Sequence, residues 1–189
     1  MNTDNLIQNM ISAAKLDTNF FKAVEHDESK NQEALTVVII AAIASAVGNG
    51  IGGIFAGGLT GGLMGAIFGL LMVLVGYYLW SYLTYFIGVK FFGGDADVGE
   101  VLRTFGYSYS PQVLSILAFI PCLGAGIGLV ASIWSLVAGI VAIREAMDFD
   151  TGKAVLTTVI AWFIMFLIFM VIGGIFGFGA MSMNALMNQ

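Results

Sequence analysis

Apolar residues run almost without interruption through three stretches of this chain, 34–89, 104–143 and 154–189, and none of these stretches contains a Lys, Arg, Asp or Glu. Every charged side chain lies in the intervening blocks, 1–33, 90–103 and 144–153. A charge at the middle of a bilayer costs about 2.5–3.5 kcal/mol on insertion scales, so the uncharged stretches belong in hydrocarbon and the blocks in water. One spanning helix takes about 20 apolar residues. The 56 residues of the first stretch then hold two spans, the 40 of the second two tight spans, and the 36 of the third one span with a tail. The predicted fold is all-α: a polytopic integral membrane protein of five transmembrane helices with a short amphipathic N-terminal arm. Each two-span hairpin returns the chain to its starting side, so the three charged blocks share one compartment. That compartment holds every Lys and Arg, which makes it the cytoplasm and puts the C-terminus outside. The expected divisions are a cytoplasmic arm at 1–33, a membrane domain at 34–178 and an extracytoplasmic tail at 179–189.

In the arm, Leu6, Ile7, Met10, Ile11 and Ala14 recur at helical spacing, and Phe20, Phe21 and Val24 resume the stripe after Asp17-Thr18-Asn19. Two short amphipathic helices follow from this pattern, lying in the headgroup layer or packed under the bundle. Spans one and two are expected at 35–55 and 61–89, joined by 56–60. Gly53, Gly57, Gly61, Gly65 and Gly69 recur every four residues through this hairpin, and Gly48 with Gly52 repeats the spacing. Glycines four apart share a helix face and let a second backbone approach. The ladder is a packing seam inside the bundle, or else a self-association surface or the thin wall of a cavity. Tyr77, Tyr78, Trp80, Tyr82, Tyr85 and Phe86 crowd the cytoplasmic end of span two as an interfacial girdle.

The loop that follows carries Asp95, Asp97 and Glu100 without the length of a calcium loop. It reads as a turn and a capped helix start, with Asp97 and Glu100 at the positive dipole end. Span three opens with Thr104-Phe105-Gly106-Tyr107-Ser108-Tyr109-Ser110-Pro111-Gln112, where polar groups enter the membrane. Pro111 removes one backbone hydrogen bond and is expected to kink a helix, with Ser108, Ser110 and Gln112 serving freed carbonyls or a neighbouring helix. Pro121 ends that span, Gly124, Gly126 and Gly128 turn the chain into span four, and Asp150-Thr151 caps span five at 154–178.

With 59% apolar and 10% charged residues, the chain is too apolar for a soluble globule. Its net charge of -5 is spread in mixed sign with no polybasic cluster, which argues against nucleic acid and against a grip on anionic lipid. The first 33 residues lack a signal-peptide pattern, so the first span is expected to direct insertion. The single cysteine, Cys122, can form neither an internal disulfide nor a metal site and is expected to pack. The single histidine, His26, lies in Glu25-His26-Asp27-Glu28. Adjacent helical residues point apart, so a metal site there needs ligands from another segment; a solvated helix end is expected. With His26 and Cys122 on opposite sides, a Cys–His pair is excluded, and no catalytic, cofactor-binding or metal-binding residues are expected. A neutral path lined by Ser45, Asn49, Ser108, Ser110, Gln112, Ser132 and Ser135 is the one solute route open to a membrane interior without ionisable groups.

The segment Gly106-Tyr107-x-x-x-Pro111 resembles the GYxxxP signature of the Yip family, the Ypt-interacting proteins, which are small membrane proteins of five spans with a cytoplasmic N-terminus. Two further features are similar to prokaryotic members: the pair Phe20-Phe21 ahead of span one, and Trp134 followed by the exit Ile143-Arg144-Glu145-Ala146. The resemblance runs from residue 17 to 178, and the DLYGP sequence of eukaryotic members is absent. It implies a prokaryotic-type member in the inner membrane, and a non-catalytic scaffold or adaptor that contacts itself or other membrane proteins in organising or trafficking membrane. Small GTPases, partners of the eukaryotic branch, are not expected partners here. Gly106, Tyr107, Pro111 and Gln112 are the implied motif and interface residues. The alternative is a small transporter or channel for a neutral or cationic solute.

Overall fold

A left-handed Leu16 (φ 61) and the side chain of Asp17, which accepts from the amides of Asn19 and Phe20, divide the arm into α1 (Thr3–Ala14) and α2 (Thr18–Glu25). These elements are seen in a computed structural model that describes residues 3–187, the side chains of 169 and 172–187 excepted. A 3-10 turn (Glu28–Lys30) leads into α3 (Asn31–Phe92), followed by α4 (Val98–Tyr107), a 3-10 helix (Ser110–Phe119), α5 (Gly124–Ala146) and α6 (Thr151–Met187). No strand occurs among the described residues. Of the tail expected at 179–189, the residues to 187 continue α6, and 188–189 lie outside the described residues.

Three of these segments are long and apolar enough to cross a membrane: Glu28–Phe92, α5 and, within α6, Thr151–Ile168; Ser110–Phe119 is apolar but shorter. The first is not one rod. Gly57 (φ -145, ψ 22) and Gly58 (φ 63, ψ -156) leave the helical region, and the positive φ of Gly58 is one that only glycine adopts readily. The limbs 31–56 and 59–92 fold back on each other in backbone contact. A methyl on Gly53 would stand 2.3 Å from the Gly61 carbonyl oxygen, on Gly65 2.5 Å from that of Asn49, and on Gly69 2.8 Å from that of Ser45. Four members of the expected glycine ladder thus lie between the limbs, while Gly57 sits in the turn with nothing within 4 Å of an added Cβ.

Span three departs from the kinked α-helix expected of it. An α-helical Pro111 would drive its ring into the carbonyl of Tyr107, four residues back, so α4 stops at Tyr107. The Ser110 hydroxyl donates to that carbonyl at 2.7 Å, and the Ser108 hydroxyl donates to the carbonyl of Phe105. The chain then runs for ten residues as 3-10 helix, well beyond the three or four usual for this conformation. Its neighbours hold it there: an added Cβ at Gly48 of α3 or Gly124 of α5 would meet the Ser115 or Ala118 carbonyl oxygen at 2.0 Å. Beyond it, Cys122 is exposed with φ 66 rather than packed, because the turn into α5 turns its side chain outward.

The arm packs against the bundle, which resolves its two expected placements. Leu6, Ala13, Phe21 and Val24 share a buried cluster with Ala34, Val37, Tyr107 and Ala142, so α1 and α2 close over the ends of α3, α4 and α5. The indole N–H of Trp134 on α5 donates to the Ala14 carbonyl at 2.7 Å. A second cluster, with Val38, Tyr77, Val101, Phe105, Ile143 and Met147, lies behind α4. The aromatic girdle divides accordingly: Tyr77 is buried and donates to the Leu102 carbonyl at 3.0 Å, whereas Tyr78, Tyr82 and Phe86 are exposed.

Backbone contact without space predicts a sharp split among glycines. Gly48→Leu and Gly65→Leu should each lower the stability of the purified protein by at least about 1–3 kcal/mol, the usual overpacking range. Gly128→Ala, where an added methyl meets nothing, should stay within about 0.5 kcal/mol of the parent; thermal melts in detergent check both.

Candidate functional site

The start of α4 is fixed by a reciprocal cap. The Asp97 carboxylate accepts from the Glu100 amide at 2.8 Å, and the Glu100 carboxylate accepts from the Asp97 amide at 2.7 Å. The strongly amphipathic helix that follows buries Val101, Phe105 and Tyr107. Gly106 lies against the first turns of α3, where an added Cβ would come within 3.1 Å of the Ala34 carbonyl oxygen. Tyr107 is fully buried, its ring edge-on to Phe20 with centroids 5.0 Å apart. Its phenol oxygen approaches the Glu33 carboxylate and Asn9 without the alignment of a full hydrogen bond. Glu33 is meanwhile bonded by the Asn9 side-chain amide and by Lys30. Gly106, Tyr107 and Pro111 are all buried, and Tyr107 with Phe20 of the arm forms an internal staple.

Gln112, the fourth motif residue, faces elsewhere. With Ser108, Tyr109, Ser132 and Ser135, between Trp80 and Trp162, it lines a cavity of about 520 Å³. Four of the seven residues of the expected neutral path meet here. Ser110 is turned away to Tyr107, and the Asn49 amide donates to Ser45 within its own helix. In the cavity wall the indole N–H of Trp80 and the hydroxyl of Ser135 are buried without a partner. The lining sets a few neutral hydrogen-bonding groups among aromatic side chains and Leu129, Ile133 and Leu136, a chemistry suited to holding a largely apolar, uncharged group and not to acid–base catalysis.

Around the polar end of the bundle, the structure joins the three charged blocks. Arg103, buried, donates through Nη2 to the Glu25 carbonyl at 2.5 Å and through Nη1 to the Asn31 side chain at 3.3 Å. Lys153 donates to the Phe92 carbonyl at 3.3 Å. Glu25 is buried rather than part of a solvated helix end, because α2 packs against α5 and α4. Burial pushes its carboxyl above the ordinary range; the charge of His26 opposes this, and those of Asp148 and Glu100 add to it. Glu25, His26 and Glu100 also bring their ligand atoms within 4.8 Å of one another. That grouping was hidden in the sequence, since Glu100 arrives from a distant segment; the one signal was the unpaired run of acids around a lone histidine.

Long apolar helices, uncovered apolar flanks and one polar end define an all-helical membrane protein. Its residues 17–172 match the family model of the Yip1 domain, and the chain belongs to that family. No curated protein and no solved structure matches it significantly.

The staple has separable parts. Tyr107→Ala should cost about 3–5 kcal/mol of stability, as for a buried aromatic, and Tyr107→Phe, which keeps the ring, less than about 1.5 kcal/mol. Trp134→Phe should cost about 1 kcal/mol for the lost hydrogen bond and speed hydrogen–deuterium exchange in α1 while leaving α5 unchanged.

Proposed function

We propose that this chain is a non-catalytic membrane adaptor, acting through protein–protein contacts in and beside the bilayer and serving membrane organisation or trafficking. The observation that carries this reading is the staple. The signature residues Gly106, Tyr107 and Pro111 are buried, Tyr107 packs beneath the arm, and Arg103 and Lys153 link the three charged blocks into one polar face. Such a face suits docking, and membership of the Yip1 domain family is consistent with it. The partners are other copies of the chain or other membrane proteins, in a prokaryotic inner membrane.

The same reading gives the chain five spans with a cytoplasmic N-terminus and an external C-terminus. The broken α3 supplies two, its limbs reaching about 39 and 51 Å at 1.5 Å per residue. The uncharged part of the third span from Thr104, the last turn of α4 followed by the 3-10 helix, extends about 26 Å at about 1.5 and 2 Å per residue, a tight crossing of a hydrocarbon core about 30 Å thick. Helices α5 and α6 complete the set.

The alternative is a small transporter or channel for a neutral or cationic solute, and the cavity beside Gln112 with its two unpartnered donors favours the neutral case. A photoreactive side chain at the exposed Phe68 or Ile7 should yield discrete protein adducts in native membranes if the adaptor reading holds. Adducts to lipid alone at both positions, with solute flux in liposomes that is abolished by Gln112→Leu, would replace it with the transporter.

A further inference from the structure

We propose that Glu25, His26 and Glu100 form a binding site for a divalent first-row transition cation that clamps the arm to the start of α4. The three residues offer two carboxylates and one imidazole, a mixed donor set suited to Zn²⁺ or Mn²⁺. Their ligand atoms already lie within 4.8 Å of one another. A tetrahedral ion with ligands at about 2.1 Å would hold them about 3.4 Å apart, so closure needs side-chain shifts of about an ångström.

A second observation points to a ligand. Glu25 is only 3% exposed, and its Oε2 is buried with no hydrogen-bond partner. A buried carboxylate without a partner is costly unless a cation or donor meets it. The nearby basic groups do not fill that role. Arg103 spends Nη2 on the Glu25 backbone and Nη1 on Asn31, and its Nε has no partner. Lys22 acts on Glu25 only as a nearby charge, as does Asp148, which adds a third carboxylate to the field. The ion pairs among the described residues are Lys30–Glu33 and Arg144–Glu145, and neither includes a member of the cluster. Glu100 keeps one oxygen free while the other caps α4. His26 is exposed and gives an ion a route in from water, and the site lies at the negative end of α2.

The clamp would join residues separated by the whole of α3, so cation occupancy would fasten the arm at a point independent of Tyr107 and Trp134. This inference does not rest on the adaptor reading.

The test uses the full chain in detergent, stripped with EDTA and titrated with Zn²⁺ and, separately, with Mn²⁺ followed by electron paramagnetic resonance. One ion should bind per chain, with slower hydrogen–deuterium exchange in α2. His26→Ala, a change at an exposed position, should weaken binding at least tenfold, and Glu25→Gln should abolish it. In EDTA, Glu25→Gln should melt no lower than the parent, because it removes an uncompensated buried charge. No stoichiometric binding by the parent, or binding unchanged in both variants, would overturn the proposal.

Discussion

Hydrocarbon accepts neither a bare charge nor an unpaired backbone amide, and most of this architecture follows from meeting both demands at once. Charge exclusion divides the chain into blocks and runs. Backbone satisfaction then decides what the runs become, and the segment around Pro111 shows the pressure most clearly. The proline cannot continue α4, so the Ser110 hydroxyl takes up the Tyr107 carbonyl and the chain tightens into 3-10 helix. That conformation is long for its kind and survives because glycines of α3 and α5 let carbonyls of this segment lie directly against their backbones. Removing side-chain bulk is the ordinary means of binding helices in lipid, where apolar association gains little from leaving water.

The same economy explains the division of labour at the signature. Gly106 is small because Ala34 and its carbonyl lie against it, Tyr107 fills the space beneath the arm, and Pro111 ends the helix that carries them. Gln112, one residue on, already faces the cavity. A single short segment thus packs beneath the arm on one side and lines the cavity on the other.

Much of this was legible in the residues. Charge blocks marked the apolar helices, the apolar stripe marked α1 and α2, and the spacing of Asp97 and Glu100 marked the cap of α4. The turn expected at 56–60 falls at Gly57–Gly58. What stayed hidden depended on distance in sequence or on competition between two local rules. Proline's effect on one hydrogen bond is local and predicts only a kink, whereas the 3-10 run depends on contacts at Gly48 and Gly124 from other helices. A lone thiol with no partner to bridge predicts packing, yet Cys122 lies exposed on a left-handed backbone in the turn into α5. Glu25 and Glu100 are brought together only by tertiary packing, which spacing along one helix cannot reveal.

In the proposed topology, the charged blocks occupy one side of the membrane and the turn at Cys122 the other. Labelling of intact cells with a membrane-impermeant maleimide tests it directly. Cys122, already exposed, should react from outside, while Asp95→Cys in a Cys122→Ser background should react only after the cells are opened. Labelling of position 95 in intact cells, or of Cys122 only in opened ones, would overturn that topology.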